Sequence, residues 1–175
     1  MKKNWYAVYT KARCEKKVSA WLTKKKIENY CPLNKVPRLG TYDYRNGVYE
    51  PLIPNFVFVH ISENDMQAIR QQNDVVNFVY WLGRPAKIHE REIESIQEFM
   101  NEFEHVQLEK TPVNNQGMVR ILTNTGYETN GNLVSLTNNK VKVTLPSLGY
   151  ALTAEVEKAS VDMFRYRMQV RDKVS

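Results

Sequence analysis

The chain has 175 residues, enough for one ordinary domain or two small ones at about 100–200 residues each. Its 42% hydrophobic and 11% aromatic content supports packed cores and argues against a disordered chain. No stretch approaches the roughly 18 uninterrupted apolar residues of a membrane span, and the basic N-terminus lacks an apolar signal region. A soluble cytoplasmic protein with no membrane partner is expected.

The formal net charge is +6, but it is unevenly spread. Residues 1–40 hold eleven basic and two acidic side chains, whereas 89–110 hold two basic and seven acidic. Such polarity suits a polyanion on one side of the molecule. Cys14 and Cys31 are too few and too far apart for a zinc knuckle or a C-x-x-C redox motif, and both are expected to stay reduced.

In chain order, residues 5–10 alternate and are rich in aromatic and β-branched types, which predicts a strand. From Lys11 the period changes. Cys14, Val18, Trp21 and Leu22 fall on one helical face, predicting an amphipathic helix to about residue 27. Arg13, Lys16, Lys17 and Lys24 form a basic stripe on the opposite side.

Residues 29–39 read as extended, with Pro32 and Pro37 restricting them to a strand edge or loop. Arg45-Asn46-Gly47 is a turn signal inside 42–53 and predicts a hairpin there. Residues 56–61 are the strongest strand in the sequence. A short helix is expected over 63–72 with Ser62 as its N-cap, then a strand over 75–82 and a helix over 89–103 with Ile93, Ile96, Phe99 and Met100 on one side. Polar residues 109–117 read as a linker. Four strand-like runs follow, at 118–122, 132–136, 140–145 and 151–157, separated by turn residues as in a small β-barrel. The expected organisation is a domain over 1–108, a linker over 109–117 and a barrel over 118–175.

The sequence carries no catalytic constellation. It lacks G-x-x-x-x-G-K-[ST], G-x-G-x-x-G and G-x-S-x-G, and His60, His89 and His105 are not spaced to hold zinc. No enzyme activity, metal or cofactor is expected.

Trp5-Tyr6-Ala7-Val8-Tyr9-Thr10-Lys11, followed by a basic helix and then Glu50-Pro51-Leu52-Ile53-Pro54-Asn55-Phe56-Val57-Phe58-Val59, resembles the N-terminal domain of the NusG family of transcription elongation factors. With Asn77-Phe78-Val79 and Pro85-Ala86, the run looks closest to the specialised RfaH and UpxY-like antiterminators. Gly117 to Ile121 resembles the opening of that family's KOW-type barrel. The loop after it, Asn124 to Gly131, keeps only the last glycine of the family's pattern.

The resemblance implies an α+β fold: an antiparallel sheet flanked by helices, then a small SH3-like (KOW-type) β-barrel. It implies a factor that suppresses pausing and termination, in UpxY-like relatives on surface-polysaccharide operons. Its partners would be the clamp helices of the largest RNA polymerase subunit and the non-template DNA strand, with a termination factor or ribosome on the barrel. The turn-punctuated tail gives no support for a helical state of that barrel.

If the first strand neighbours residues 56–61, then Ala7, Tyr9, Phe56 and Phe58, with Ile53 beside them, share one aromatic surface. Residue pattern alone favours Phe56 and Phe58 as core beneath a helix; the resemblance reverses that, because the surface matches the family's polymerase-binding face. For nucleic acid the candidates are Lys11, Arg13, Lys16, Lys17, Trp21, Lys24, Gln72 and Asn73. The cations would hold phosphates. Trp21 is open to stacking on a base or to a core role, and Gln72 and Asn73 to reading base edges or to ending a helix. A stand-alone RNA- or ribosome-binding module acting through its barrel is the rival reading.

Overall fold

The computed structural model describes residues 2–38, 40, 47–110, 126–129, 132–137 and 140–155. The chain divides into two compact units, Met1–Met100 and Asn101–Ser175.

In the first unit, strand β1 (Asn4–Thr10) occupies an interior position of an antiparallel sheet. Helix α1 (Glu15–Lys24) follows, then β2 (Asn29–Tyr30), β3 (Leu33–Val36), β4 (Val48–Pro51) and β5 (Phe56–Ile61). A 3-10 turn at Glu63–Asp65 leads into α2 (Met66–Arg70), and β6 (Val75–Phe78), β7 (Tyr80–Trp81), β8 (Arg84–Pro85), β9 (Lys87–Ile88) and α3 (Glu90–Glu102) complete it. The main sheet runs β2-β5-β1-β6, with β9 also paired to β1. Strand β1 tolerates neighbours on both edges because it is apolar on both faces. Tyr6 and Val8 are fully buried on one, and Trp5 and Ala7 are buried on the other.

The Tyr6 face builds the core. Tyr6, Val8, Val57, Val59, Ile61, Val75 and Phe78 from the sheet meet Val18 and Leu22 of α1 and Met66 and Ile69 of α2, with Cys14, Trp21, Ile27 and Cys31 packed at its margin. Both cysteines are free thiols. Burial raises the Cys31 thiol to about 11.

Helix α1 is shorter than its periodicity predicts. Arg13 is left-handed (φ +63°), and Cys14 takes non-helical angles before the helix starts. At the other end Lys26 is left-handed (φ +59°), its N–H donates to the Thr23 carbonyl at 2.9 Å, and the Ile27 N–H donates to the Leu22 carbonyl at 3.0 Å. That is a Schellman stop with lysine where glycine is usual. Ser62 stands directly before the 3-10 turn as expected, giving its N–H and hydroxyl to the Asp65 carboxylate at 3.1 and 2.7 Å.

Two pairings differ from the sequence reading. Strand β4 pairs back to β3, with Leu33 opposite Pro51 and Val36 opposite Val48. Arg45 and Asn46 of the predicted turn, with the residues 42–44 before it, lie outside the described residues. The strand expected over 75–82 is broken at Val79, and Tyr80–Trp81 fold onto β8 across a tight turn with Leu82 and Gly83 both at positive φ.

The second unit contains β10 (Gln107–Lys110), β11 (Gly126–Thr129), β12 (Asn132–Thr137), β13 (Lys140–Leu145) and β14 (Tyr150–Glu155) in one antiparallel sheet of order β10-β14-β13-β12-β11. Among the described residues no pairing closes it. Glu109 and Lys110, assigned from sequence to the linker, end β10 on the β14 edge. There the Glu109 carboxylate accepts from Lys142 Nζ at 2.9 Å. The expected strand at 118–122 lies outside the described residues, as does 156–157 of the last run.

Candidate nucleic-acid cleft and aromatic face

Strands β1 and β5 are antiparallel neighbours, with Ala7 opposite Phe58, Tyr9 opposite Phe56 and Trp5 opposite His60. Directly opposed residues share a face, so this register places Ala7, Tyr9, Phe56 and Phe58 together. Tyr9 and Phe56 meet edge to face at 5.3 Å, Tyr30 stacks near Phe58 at 6.4 Å, and Trp5 stacks on His60 at 5.1 Å. His60 Nδ1 lies 2.6 Å from Glu28 Oε2, which fixes the ring at the far end of the row.

The face is not open along its length. Ala7, Ile53 and Phe58 are buried, Phe58 completely, whereas Tyr9 is 40% exposed and Phe56 partly so. The accessible portion of the predicted surface is thus its Tyr9–Phe56 end. The turn that feeds β5 is held by a carboxylate the sequence reading did not single out: buried Glu15 accepts the Asn55 N–H at 2.7 Å, and Asn55 adopts φ +66°.

On the other side of the same strand lie the basic residues. Lys11, Arg13, Lys16, Lys17 and Lys24 are all exposed. Arg13 precedes the helix, so the stripe on α1 itself comprises Lys16, Lys17 and Lys24. Lys16 Nζ donates to the Tyr49 carbonyl at 2.7 Å, tying the helix to β4 while leaving its charge unneutralised.

Lys17 is different. Its ammonium lies 2.8 Å from Asp74 Oδ2, and Asp74 also accepts from Gln72 Nε2 at 3.3 Å and from the Cys14 thiol at 3.7 Å. The Gln72 side-chain Oε1 accepts the Asp74 backbone N–H in turn. Hydrogen bonds from Lys17 and Gln72 hold the Asp74 carboxyl below its ordinary range, and the same partner raises Lys17.

Around this cluster is a cleft of about 440 Å³ lined by Lys17, Trp21, Ala68, Gln71, Gln72, Asn73 and Asp74. It joins four of the eight sequence-predicted nucleic-acid residues: Lys17, Trp21, Gln72 and Asn73. Trp21 is half-buried at the core margin and also lines the cleft. Asp74 and Gln71 were missed. Their only local signal is position at the end of α2, since Asp74 meets Cys14 across 60 residues of sequence.

Among the described residues no group of three or more His, Cys, Asp or Glu is arranged to hold a metal ion, and no helix is long and apolar enough to cross a membrane.

The sequence model of one family, described as Transcription termination factor nusG, matches residues 3–97. The match spans β1 through most of α3 and contains the aromatic face and the cleft. The chain belongs to the NusG family. Its members are transcription elongation and termination factors that bind RNA polymerase, and they are not enzymes. A solved structure described as "Domain interaction in Thermotoga maritima NusG" aligns with 90% of this chain and 94% of its own, at 22% identity and a TM-score of 0.45. No curated protein matches the sequence.

Proposed function

We propose that this chain is a specialised, RfaH/UpxY-like elongation factor that suppresses pausing and termination. It grips the clamp helices of the largest RNA polymerase subunit through the aromatic face, entering by Tyr9 and Phe56. Ala7, Ile53 and Phe58 shape that face from beneath. The non-template DNA strand runs along Lys11, Arg13, Lys16 and Lys24, with the α1–α2 cleft beside it. Residues 118–175 form a KOW-type barrel that docks a termination factor or ribosome, and the operons served are those for surface polysaccharides, as in the UpxY-like relatives.

The observation that carries this reading is the β1–β5 register. It puts an exposed Tyr9 and a partly exposed Phe56 in edge-to-face contact at 5.3 Å on one face. Exposed aromatic pairs are typical interface anchors. The test is capture of purified RNA polymerase by the full chain, with the isolated clamp-helix fragment as competitor. Competed binding is expected. A folded protein that ignores polymerase would leave the stand-alone nucleic-acid module as the surviving account.

A further inference from the structure

One buried carboxylate belongs to neither the aromatic face nor the row of basic residues. Glu15 stands in the first turn of α1 and is only 4% exposed, a position that is costly for a charged group unless a hydrogen bond compensates it. Its partner lies on another element. Oε1 accepts the Asn55 N–H at 2.7 Å, and the Asn55 carbonyl accepts the Thr10 N–H at 2.8 Å. Both backbone polar groups of Asn55 are thus held, one by the helix and one by β1. Asn55 sits at φ +66°, a left-handed conformation that asparagine tolerates better than most side chains and only glycine adopts freely.

The residue so held is the one before Phe56. Tyr9 and Phe56 form the last pair of the β1–β5 ladder, and on the other edge of β1 the pairing with β6 slips between Tyr9 and Thr10. Ladder ends open more readily than their interiors, yet this end carries the accessible aromatic pair. Resting on the polymerase-binding reading above, we propose that Glu15 is a positioning residue for that face: by clasping Asn55 it presets Phe56 against Tyr9 in the geometry that polymerase grips. Phe58, two residues on, is fixed by its own complete burial. The gain is preorganisation, because an interface group already held in its bound geometry loses less freedom when the partner arrives.

The experiment titrates the full-length protein with the isolated clamp-helix fragment by calorimetry. It compares the wild type, Glu15→Ala, Glu15→Gln, Phe56→Ala and the double variant Glu15→Ala/Phe56→Ala. Glu15→Ala should bind about tenfold more weakly, through loss of a hydrogen bond to a charged group. Glu15→Gln keeps a side-chain acceptor for the Asn55 N–H and should restore binding to within about threefold of the wild type. Phe56→Ala should bind about 30-fold more weakly. Adding Glu15→Ala to it should weaken binding no further, since the clasp acts through the ring that is gone. Independent effects would instead multiply to about 300-fold. Amide hydrogen exchange by NMR reads the clasp without polymerase: the Asn55 amide should be protected in the wild type and in Glu15→Gln, and should exchange freely in Glu15→Ala while the interior of β5 stays protected.

Wild-type affinity in folded Glu15→Ala, a double variant weakened by about 300-fold, no restoration by Glu15→Gln, or an Asn55 amide still protected without the carboxylate would each overturn the proposal while leaving the aromatic face in place. A folded wild type that ignores the fragment would overturn the polymerase-binding reading and this proposal with it. Thermal melting establishes that Glu15→Ala is folded. Should it not fold, Asn55→Ala decides the question with Glu15 intact, because it makes the left-handed turn costlier. Binding should then weaken by about threefold or more when Phe56 is present and not at all in Phe56→Ala; wild-type affinity in Asn55→Ala would overturn the proposal.

Discussion

Two phenylalanines two positions apart on β5 should respond to truncation in opposite ways. Phe58 has no solvent exposure and lies opposite Ala7 beside Tyr30. Phe58→Ala leaves a cavity, and such changes cost about 3–5 kcal/mol in domains whose whole stability is about 5–15 kcal/mol. Phe56 is only partly buried and loses chiefly its edge-to-face contact with Tyr9, worth about 1 kcal/mol beyond area. Phe56→Ala should therefore cost about 1–2 kcal/mol and lower the melting temperature by roughly 5–15 °C, leaving a folded protein. At a polymerase interface an aromatic anchor carries about 2 kcal/mol or more, so the same variant should bind at least about 30-fold more weakly. Differential scanning calorimetry and titration of the clamp-helix fragment measure the two effects separately. Wild-type affinity in folded Phe56→Ala would refute the Tyr9–Phe56 entry point. An undiminished melting temperature in Phe58→Ala would refute the burial argument.

Three further outcomes are expected. Lys26→Gly should stabilise the protein by up to about 1 kcal/mol, because the left-handed Schellman position costs a side chain about 1–2 kcal/mol, while glycine returns part of that as unfolded-chain entropy; a denaturation midpoint that does not rise would contradict the assignment. With its pKa at about 11 against an ordinary 9.0, Cys31 should carry about 100-fold less thiolate at pH 8 and alkylate correspondingly slowly by mass spectrometry. Asp74 is depressed below its ordinary 3.8, so the unfolded chain takes up that proton first as pH falls. Its stabilisation is complete above about pH 5 and declines progressively as pH falls past the ordinary carboxyl value and through the lower folded-state one, and Asp74→Asn should flatten the acid limb of a pH–stability curve.

What could be read from the sequence was what local pattern decides. Residue pattern marked β1 and β5, and alternation put Ala7 with Tyr9 and Phe56 with Phe58; that all four share one face hung on the two strands being neighbours, which the β1–β5 register supplies. Pattern did not say how much of that face is open, because burial of Ala7, Ile53 and Phe58 depends on packing beyond the strand. The α1 helix was legible from Val18, Trp21 and Leu22. Its end was not, because a lysine serves where the stop signal would be glycine. Residue pattern did not name the partner of β4, which is Leu33–Val36, since pairing energy comes from the opposing strand. Asp74 was counted only as a charge. Its meaning lies in Lys17, Gln72 and Cys14, two of which are distant in sequence.

The interior place of β1 also dictates an order of events during synthesis. Asn4 pairs with Ile61 and Trp5 with Ile88, partners translated nearly 60 and more than 80 residues later. At about 5–20 residues per second, Trp5, Tyr6 and Val8 wait several seconds to more than ten before their sheet can close. Throughout that interval an apolar strand is unshielded. Lys2 and Lys3 on one flank and Lys11 on the other then act as gatekeepers, the charged residues that keep an uncovered hydrophobic strand from pairing with another chain. The same Lys11 that we propose lies along DNA in the finished protein would serve, on the ribosome, to keep the nascent strand single.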